Sequence, residues 1–268
     1  MQRILFANDL EESTSDNIAA FALAIADNFG ARLTVYHAYG QPHMTLGDDT
    51  PEMRKDRVVQ RLREQMARLR SASFQDVEIV YDADVDYPGD GIVGRAAETD
   101  VDLVIIGLRE GNEGGEQFSS LSYKLIRETP AAVLAIPPQA TFHGVSKIVF
   151  ATDLDAADEV ALEQLQEWRA NMVADLYVVH VYDDDAEREH ARTVLAKWRE
   201  RYASRARLHF ELVEGDFTED IGDYCRQREA DMLVTQSHVR GFFGRIFNRS
   251  DTGDIAQTID IPLLVLRG

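Results

Sequence analysis

Apolar and polar positions alternate in blocks along this chain, and two of the blocks nearly coincide. Arg3-Ile4-Leu5-Phe6-Ala7-Asn8-Asp9-Leu10 and Lys147-Ile148-Val149-Phe150-Ala151-Thr152-Asp153-Leu154 each lead from a base through an apolar run to an aspartate. That is the pattern of a buried strand ending in a polar loop. Later blocks keep the order: Leu103 to Gly107 answers Leu233 to Ser237, and Ala132 to Ile136 answers Pro262 to Leu266. The first pair is offset by 144 positions and the later two by 130, so the chain reads as a duplication whose second copy is shorter by about one loop.

In copy one the pattern predicts a strand at Ile4–Ala7 and a helix capped by Ser13 or Ser15, with Ile18, Phe21, Ala22, Ile25 and Phe29 at helical spacing and Gly30 as its end. A second strand spans Ala31 to Tyr39. Gln41 to Thr50, with Pro42 and Gly47, reads as a loop, and Pro51 suits the first turn of a helix through Leu69. A third strand is expected at Val77 to Tyr81, a helix at Gly91 to Glu98, a fourth strand at Val101 to Gly107, a helix at Leu121 to Glu128, and a last strand at Ala132 to Ile136. Copy two repeats this plan, with a first helix over Val160 to Trp168 and a second opening at Asp183-Asp184-Asp185, where carboxylates suit the positive end of the helix dipole. The expected fold is α/β: two consecutive doubly wound domains, each a five-stranded parallel sheet flanked by helices. The boundaries are 1–138, a linker at 139–144, and 145–268.

Composition narrows the function classes. The 268 residues suffice for two domains with separate cores. Net charge is −19, about −10 over 1–138 and about −9 over 139–268, which leaves no basic face for nucleic acid. Lysine occurs only at 55, 124, 147 and 197, a lysine-poor acidic surface like that of proteins from salt-loving cells, or one serving solubility alone. No apolar run reaches membrane-spanning length and Met1 leads straight into a strand, so a cytoplasmic location is expected. The lone Cys225 falls mid-pattern on a helix and reads as a packing residue. The seven histidines show no ligand spacing, so no metal site is expected; His37 and His180, matching strand-end residues, read as structural.

The ordered set Phe-Ala-x-Asp-Leu (6–10), Leu-Thr-Val-Tyr-His-Ala (33–38), Asp-Leu-Val-Ile-Ile-Gly (102–107) and Thr-Pro-Ala-Ala-Val-Leu (129–134) resembles the universal stress protein domain. Tyr177-Val178-Val179-His180-Val181 and Val213-Glu214-Gly215-Asp216 in copy two do so as well, and the whole chain resembles the tandem form of that family. The resemblance implies an adenine nucleotide alpha hydrolase-like fold with the final strands of the two domains paired, a pseudo-dimer within one chain, and further homodimerisation left open.

ATP-binding members of that family carry G-x2-G-x9-G-[ST] after the fourth strand, where glycines let backbone N–H groups close on phosphate oxygens. Copy one has Gly107 and a displaced Gly111, with Ser119-Ser120 in place of Gly-Ser, and carboxylates at Glu110 and Glu113. By resemblance Asp9 and the backbone around Ala38 meet the adenine and ribose, and Gly107, Gly111, Ser119 and Ser120 the phosphates. Copy two departs further: three family glycines appear as Gln236, Val239 and Arg249. Its counterpart residues are Asp153, Val181, Arg240, Arg249 and Ser250, an anion site if the arginines serve phosphate and a solvated stretch if they pair with nearby acids.

The resemblance implies a nucleotide-responsive or partner-binding stress regulator, with ATP or AMP as the ligand in copy one and Mg only alongside ATP. A protein partner is the other expected ligand. A different reading is a scaffold or interaction protein with both nucleotide sites lost. No nucleophile, base and acid grouping supports an enzyme, so slow ATP hydrolysis is left open on fold kinship alone.

Overall fold

The computed structural model describes residues 1–40, 50–70, 74–108, 120–237 and 260–267, and these fall into two units. The first unit runs β1 (Arg3–Ala7), α1 (Glu12–Phe29), β2 (Arg32–Tyr39), α2 (Pro51–Leu69), β3 (Ile79–Val85), α3 (Pro88–Glu98), β4 (Leu103–Gly107), α4 (Ser120–Glu128) and β5 (Ala132–Ile136). The second runs β6 (Lys147–Ala151), α5 (Ala156–Met172), β7 (Asp175–Tyr182), α6 (Asp185–Arg201), β8 (Leu208–Glu214), α7 (Phe217–Arg228), β9 (Met232–Gln236) and β10 (Leu263–Leu266).

Within the first unit the strands lie in the order β3-β2-β1-β4-β5, and within the second in the order β8-β7-β6-β9-β10. Every pairing inside a unit is parallel. Parallel neighbours need crossovers, and the intervening helices supply them. Each unit is therefore the five-stranded, doubly wound α/β sheet that the apolar blocks predict. The central strands explain those blocks: Ile4, Leu5, Phe6, Leu103, Val104 and Ile105 in one unit, and Ile148, Val149, Phe150, Met232, Leu233 and Val234 in the other, are all at most 1% exposed. Strands covered on both faces have no polar side to show.

Local chemistry sets the element ends. Gly30, at φ 57, closes α1 by donating its N–H to the Ala26 and Asp27 carbonyls. Thr50 Oγ1 accepts from Met53 N at 3.2 Å and Pro51 occupies the first turn of α2. Both first strands leave through a leucine in the left-handed region, Leu10 and Leu154, each at φ 63. The residue two before each takes the leucine N–H: Asn8 Oδ1 at 2.7 Å and Thr152 Oγ1 at 2.9 Å.

The structure differs from the sequence reading at several places. α1 has no serine cap: Glu11 is its N-cap without a side-chain bond, and Ser15 lies inside the helix, donating its hydroxyl to Asp9 Oδ1 at 2.6 Å. β3 begins at Ile79 and continues through Val85, beyond the expected Tyr81, because Asp82 and Asp84 sit within the strand against Lys55 and Arg95. α5 begins earlier and runs longer than Val160–Trp168, its N-terminus held by Asp155, whose Oδ1 accepts from Ala157 N and Asp158 N.

The repeat register also shifts by one. Ile4 pairs with Leu103 and Ile148 with Met232, so equivalent residues of β4 and β9 are 129 apart and Gly107 corresponds to Gln236. A continuous apolar run has no alternation to fix register, and a one-residue slide leaves its pattern intact. Most of the lost length lies between the second and third strands. Eleven residues (40–50) join β2 to α2, whereas two (183–184) join β7 to α6.

Candidate functional site

In the first unit the sheet order reverses between β1 and β4, the point at which ligands enter doubly wound folds beyond the carboxyl ends of the strands. The turn after β1 is braced from several sides. Asn8 is buried, its Nδ2 donates to Gln65 Oε1 of α2 at 3.1 Å, and Gln65 Nε2 donates to Asp16 Oδ1 at 3.0 Å. His37 Nδ1 lies 2.7 Å from the Asn8 carbonyl; because a carbonyl only accepts, that nitrogen carries the proton. Asp9 is half-buried, and its Oδ1 accepts from Glu11 N at 3.0 Å and from Ser15 Oγ.

Beside this turn lies a cavity of about 180 Å³. It is lined by Ala7, Asn8 and Asp9 from the end of β1, by Tyr36, His37 and Ala38 from β2, and by Ile106 and Gly107 from β4. Ser15 and Ile18 of α1, Pro88 and Ile92 of α3, and Leu121 of α4 complete it. Pockets that enclose a whole drug-sized ligand run to about 300–1,000 Å³. This one takes a ring-sized group and leaves the remainder of a ligand outside. Apolar walls from Ile18, Ala38, Ile92 and Ile106 suit the faces of a flat heterocycle, while Asp9 and Tyr36 offer an acceptor and a hydroxyl to its edges.

The second unit keeps the frame and changes the lining. His180 Nδ1 meets the Thr152 carbonyl at 2.8 Å, as His37 meets Asn8. In register, Ala38 corresponds to Val181 and Gly107 to Gln236, and Pro88 and Phe217 each open the helix after the third strand; every second-unit residue is the larger side chain. Gln236 is 2% exposed, and Ala151, the counterpart of the half-buried Ala7, is 1% exposed. Asp153 is exposed, and its N–H is taken at 2.8 Å by Asp158 Oδ2, which also accepts from Thr152 Oγ1. Burial raises the Asp158 carboxyl above its usual range, partly offset by the Thr152 hydroxyl and reinforced by the Asp155 and Asp153 carboxylates. A different, open cleft of about 530 Å³ is lined by Val181, Asp183, Asp184, Glu187, Gly215, Asp216 and Phe217. Four carboxylates there repel a phosphate.

Of the residues singled out from sequence, the structure brings Asp9, Ala38 and Gly107 around one cavity. Ser120 opens α4 and is exposed; its neighbour Leu121 is the residue that reaches the lining. Asp153 and Val181 are not joined around a matching cavity: Val181 borders the acidic cleft, and the Asp153 side chain faces solvent. Gly111, Ser119, Arg240, Arg249 and Ser250 lie outside the described residues. Sequence reasoning missed Ser15, assigned to a helix cap, and Tyr36, assigned to a strand interior. The two-residue spacing of Tyr36 and Ala38 on β2, which puts them on one face, is the signal that was there to use.

Burial pushes the Cys225 thiol up to about 12, so it is a protonated packing group on α7. Among the described residues no helix is long and apolar enough to cross a membrane, and no group of three or more His, Cys, Asp or Glu side chains is placed to hold a metal ion.

No curated protein matches the chain. Among solved structures, a universal stress protein from Archaeoglobus fulgidus shares the fold with a TM-score of 0.74 at 14% identity, over 99% of this chain and 98% of its own. A protein of unknown function from Pseudomonas aeruginosa gives 0.67 at 17% identity, over 100% and 92%. The cytoplasmic domain of a prokaryotic cation chloride cotransporter gives 0.57 at 12% identity, over 99% and 95%, so the same fold also serves a transporter. At such identities these likenesses speak for fold alone. The sequence profile of the universal stress protein family matches residues 1–137 and again 144–267, both halves of the duplication. The chain therefore belongs to the universal stress protein family, in a tandem form.

Proposed function

We propose that the chain is a nucleotide-responsive stress regulator that takes one adenine nucleotide, ATP or AMP, in the first unit. The observation that carries this reading is the meeting of Asp9, Ala38 and Gly107 around a ring-sized cavity where the sheet order reverses. Asp9 supplies an acceptor for an exocyclic amine, the Ala38 backbone edges the base, and Gly107 leaves the strand end open towards the phosphates. Mg²⁺ enters only with ATP, carried by its phosphates. The second unit serves as a nucleotide-free partner of the first, its larger lining residues supporting that assignment.

Calorimetric titration of ATP, ADP and AMP tests the reading. Binding of one nucleotide per chain, lost in Asp9→Ala and retained in Arg249→Ala, is the expected result. Heat abolished by Arg249→Ala but kept in Asp9→Ala moves the site to the second unit. No heat at millimolar nucleotide leaves the scaffold reading, with both sites lost.

A further inference from the structure

Tyr36 is 1% exposed and lines the first-unit cavity. Its hydroxyl sits under the opening turn of α3, beside Gly91, in the turn that also contributes Pro88 and Ile92 to the lining. Among the described residues no hydrogen bond is made by that hydroxyl, and its oxygen is not fully enclosed by protein. The ring is buried, but the oxygen is open to whatever enters the cavity. The ring itself is well held, with the Arg95 guanidinium 5.5 Å from its centroid. Arg95 is fixed in turn by Asp82 at 2.8 Å and by Asp84. A rigid ring thus presents an unused donor to a cavity the size of one heterocycle.

We propose that the Tyr36 hydroxyl is a specificity-determining contact of this cleft, donating a hydrogen bond to a ring nitrogen of the bound base. The inference rests on the adenine-nucleotide reading above and names a residue that reading does not need. The base is the part of a nucleotide that fits here: the cavity is ring-sized, Tyr36 lies at its buried side, and its neighbours Ala38 and Ile92 are apolar. Burial, followed by the Asp84 carboxylate, holds the hydroxyl above the ordinary tyrosine range, so it stays a donor throughout the physiological pH span. In the second unit the same register position is Val179, which has no hydroxyl to offer.

The test pairs Tyr36→Phe with AMP and its 1-, 3- and 7-deaza analogues, each lacking one ring nitrogen, in calorimetric titrations. Tyr36→Phe is expected to weaken AMP about tenfold. One deaza analogue is expected to show the same loss in the wild-type chain and no further loss in Tyr36→Phe. Thermal melting without nucleotide gives an independent readout: Tyr36→Phe should melt close to the wild-type temperature, since the hydroxyl has no bond to a described residue to lose. Equal AMP affinity in Tyr36→Phe and wild type overturns this inference and leaves the nucleotide reading standing. A variant that melts several degrees lower shows a structural bond and overturns it too. A wild-type chain that binds no nucleotide removes the function reading and this inference together.

Discussion

Gly91 of α3 stands against Tyr36 of β2: a Cβ at position 91 would lie 2.9 Å from the Tyr36 Oη and 3.0 Å from the Ala38 Cβ. Ala38 is on the strand and cannot swing away, so the helix must move if anything is added. Gly91→Ala is expected to destabilise the chain by about 1–3 kcal/mol, the usual cost of overpacking. It should also weaken nucleotide binding, because α3 carries Pro88 and Ile92 of the cavity wall. Urea denaturation followed by circular dichroism measures the first effect. Unchanged stability would show that α3 is not pinned at this point.

Val173 ends α5 at φ 56, the place where α1 ends with Gly30 at φ 57. A β-branched side chain is poorly suited to that conformation, and Val173 is 66% exposed, so little packing offsets the strain. Val173→Gly is expected to stabilise the second unit by about 1 kcal/mol, and Gly30→Val to destabilise the first by at least as much. Differential scanning calorimetry should show the two shifts with opposite signs.

Asp158 carries a pH signature. Its carboxyl is raised above the unfolded value of about 3.9, so the native state holds the proton more tightly. The stability this brings is present below the unfolded value and is lost as pH rises through the folded one. Asp158→Asn keeps an oxygen for the Asp153 N–H and Thr152 hydroxyl and removes the charge. The stability of the variant minus that of the wild type should therefore climb with pH above about 4 and level off once Asp158 is ionised. Denaturation midpoints from pH 4 to 8 measure it, and a flat difference would contradict the assignment.

Gly107→Gln gives the first unit the residue that the second has at the same register position. The expected outcome is more than a tenfold rise in the dissociation constant for AMP, about 1.4 kcal/mol or more, as the side chain enters the cavity. The melting temperature, measured alongside, separates a blocked cavity from a damaged fold. Retained affinity would place the base elsewhere.

The sheet was legible because the central strands are apolar end to end, and Ile4 to Phe6 or Val149 to Phe150 have no other reading at that length. Edge structure was less so: Asp82 and Asp84 look like a strand's end until Lys55 of α2 and Arg95 of α3 are known to reach them. The same uniformity that marked β9 as buried hid its register by one residue. At the site, Asp9 and Gly107 were legible only through the resemblance to the universal stress protein domain, and the structure shows why they meet: each closes a strand, and strand ends converge in this topology. Tyr36 and Ser15 were not, since their roles depend on which face of β2 meets α3 and on α1 starting a turn before Ser15.

Leu10 and Leu154 leave their strands at the same left-handed angle, which costs a residue with a Cβ about 1–2 kcal/mol. Glycine at either position would relieve it, and both copies keep leucine. The leucine turn is thus common to both halves, fixed in each by a side-chain oxygen two residues before it. The residues at 38 and 181, 88 and 217, or 107 and 236 differ between the halves. The exit from the first strand is what the two halves hold in common, and the cavity beside it is where they part.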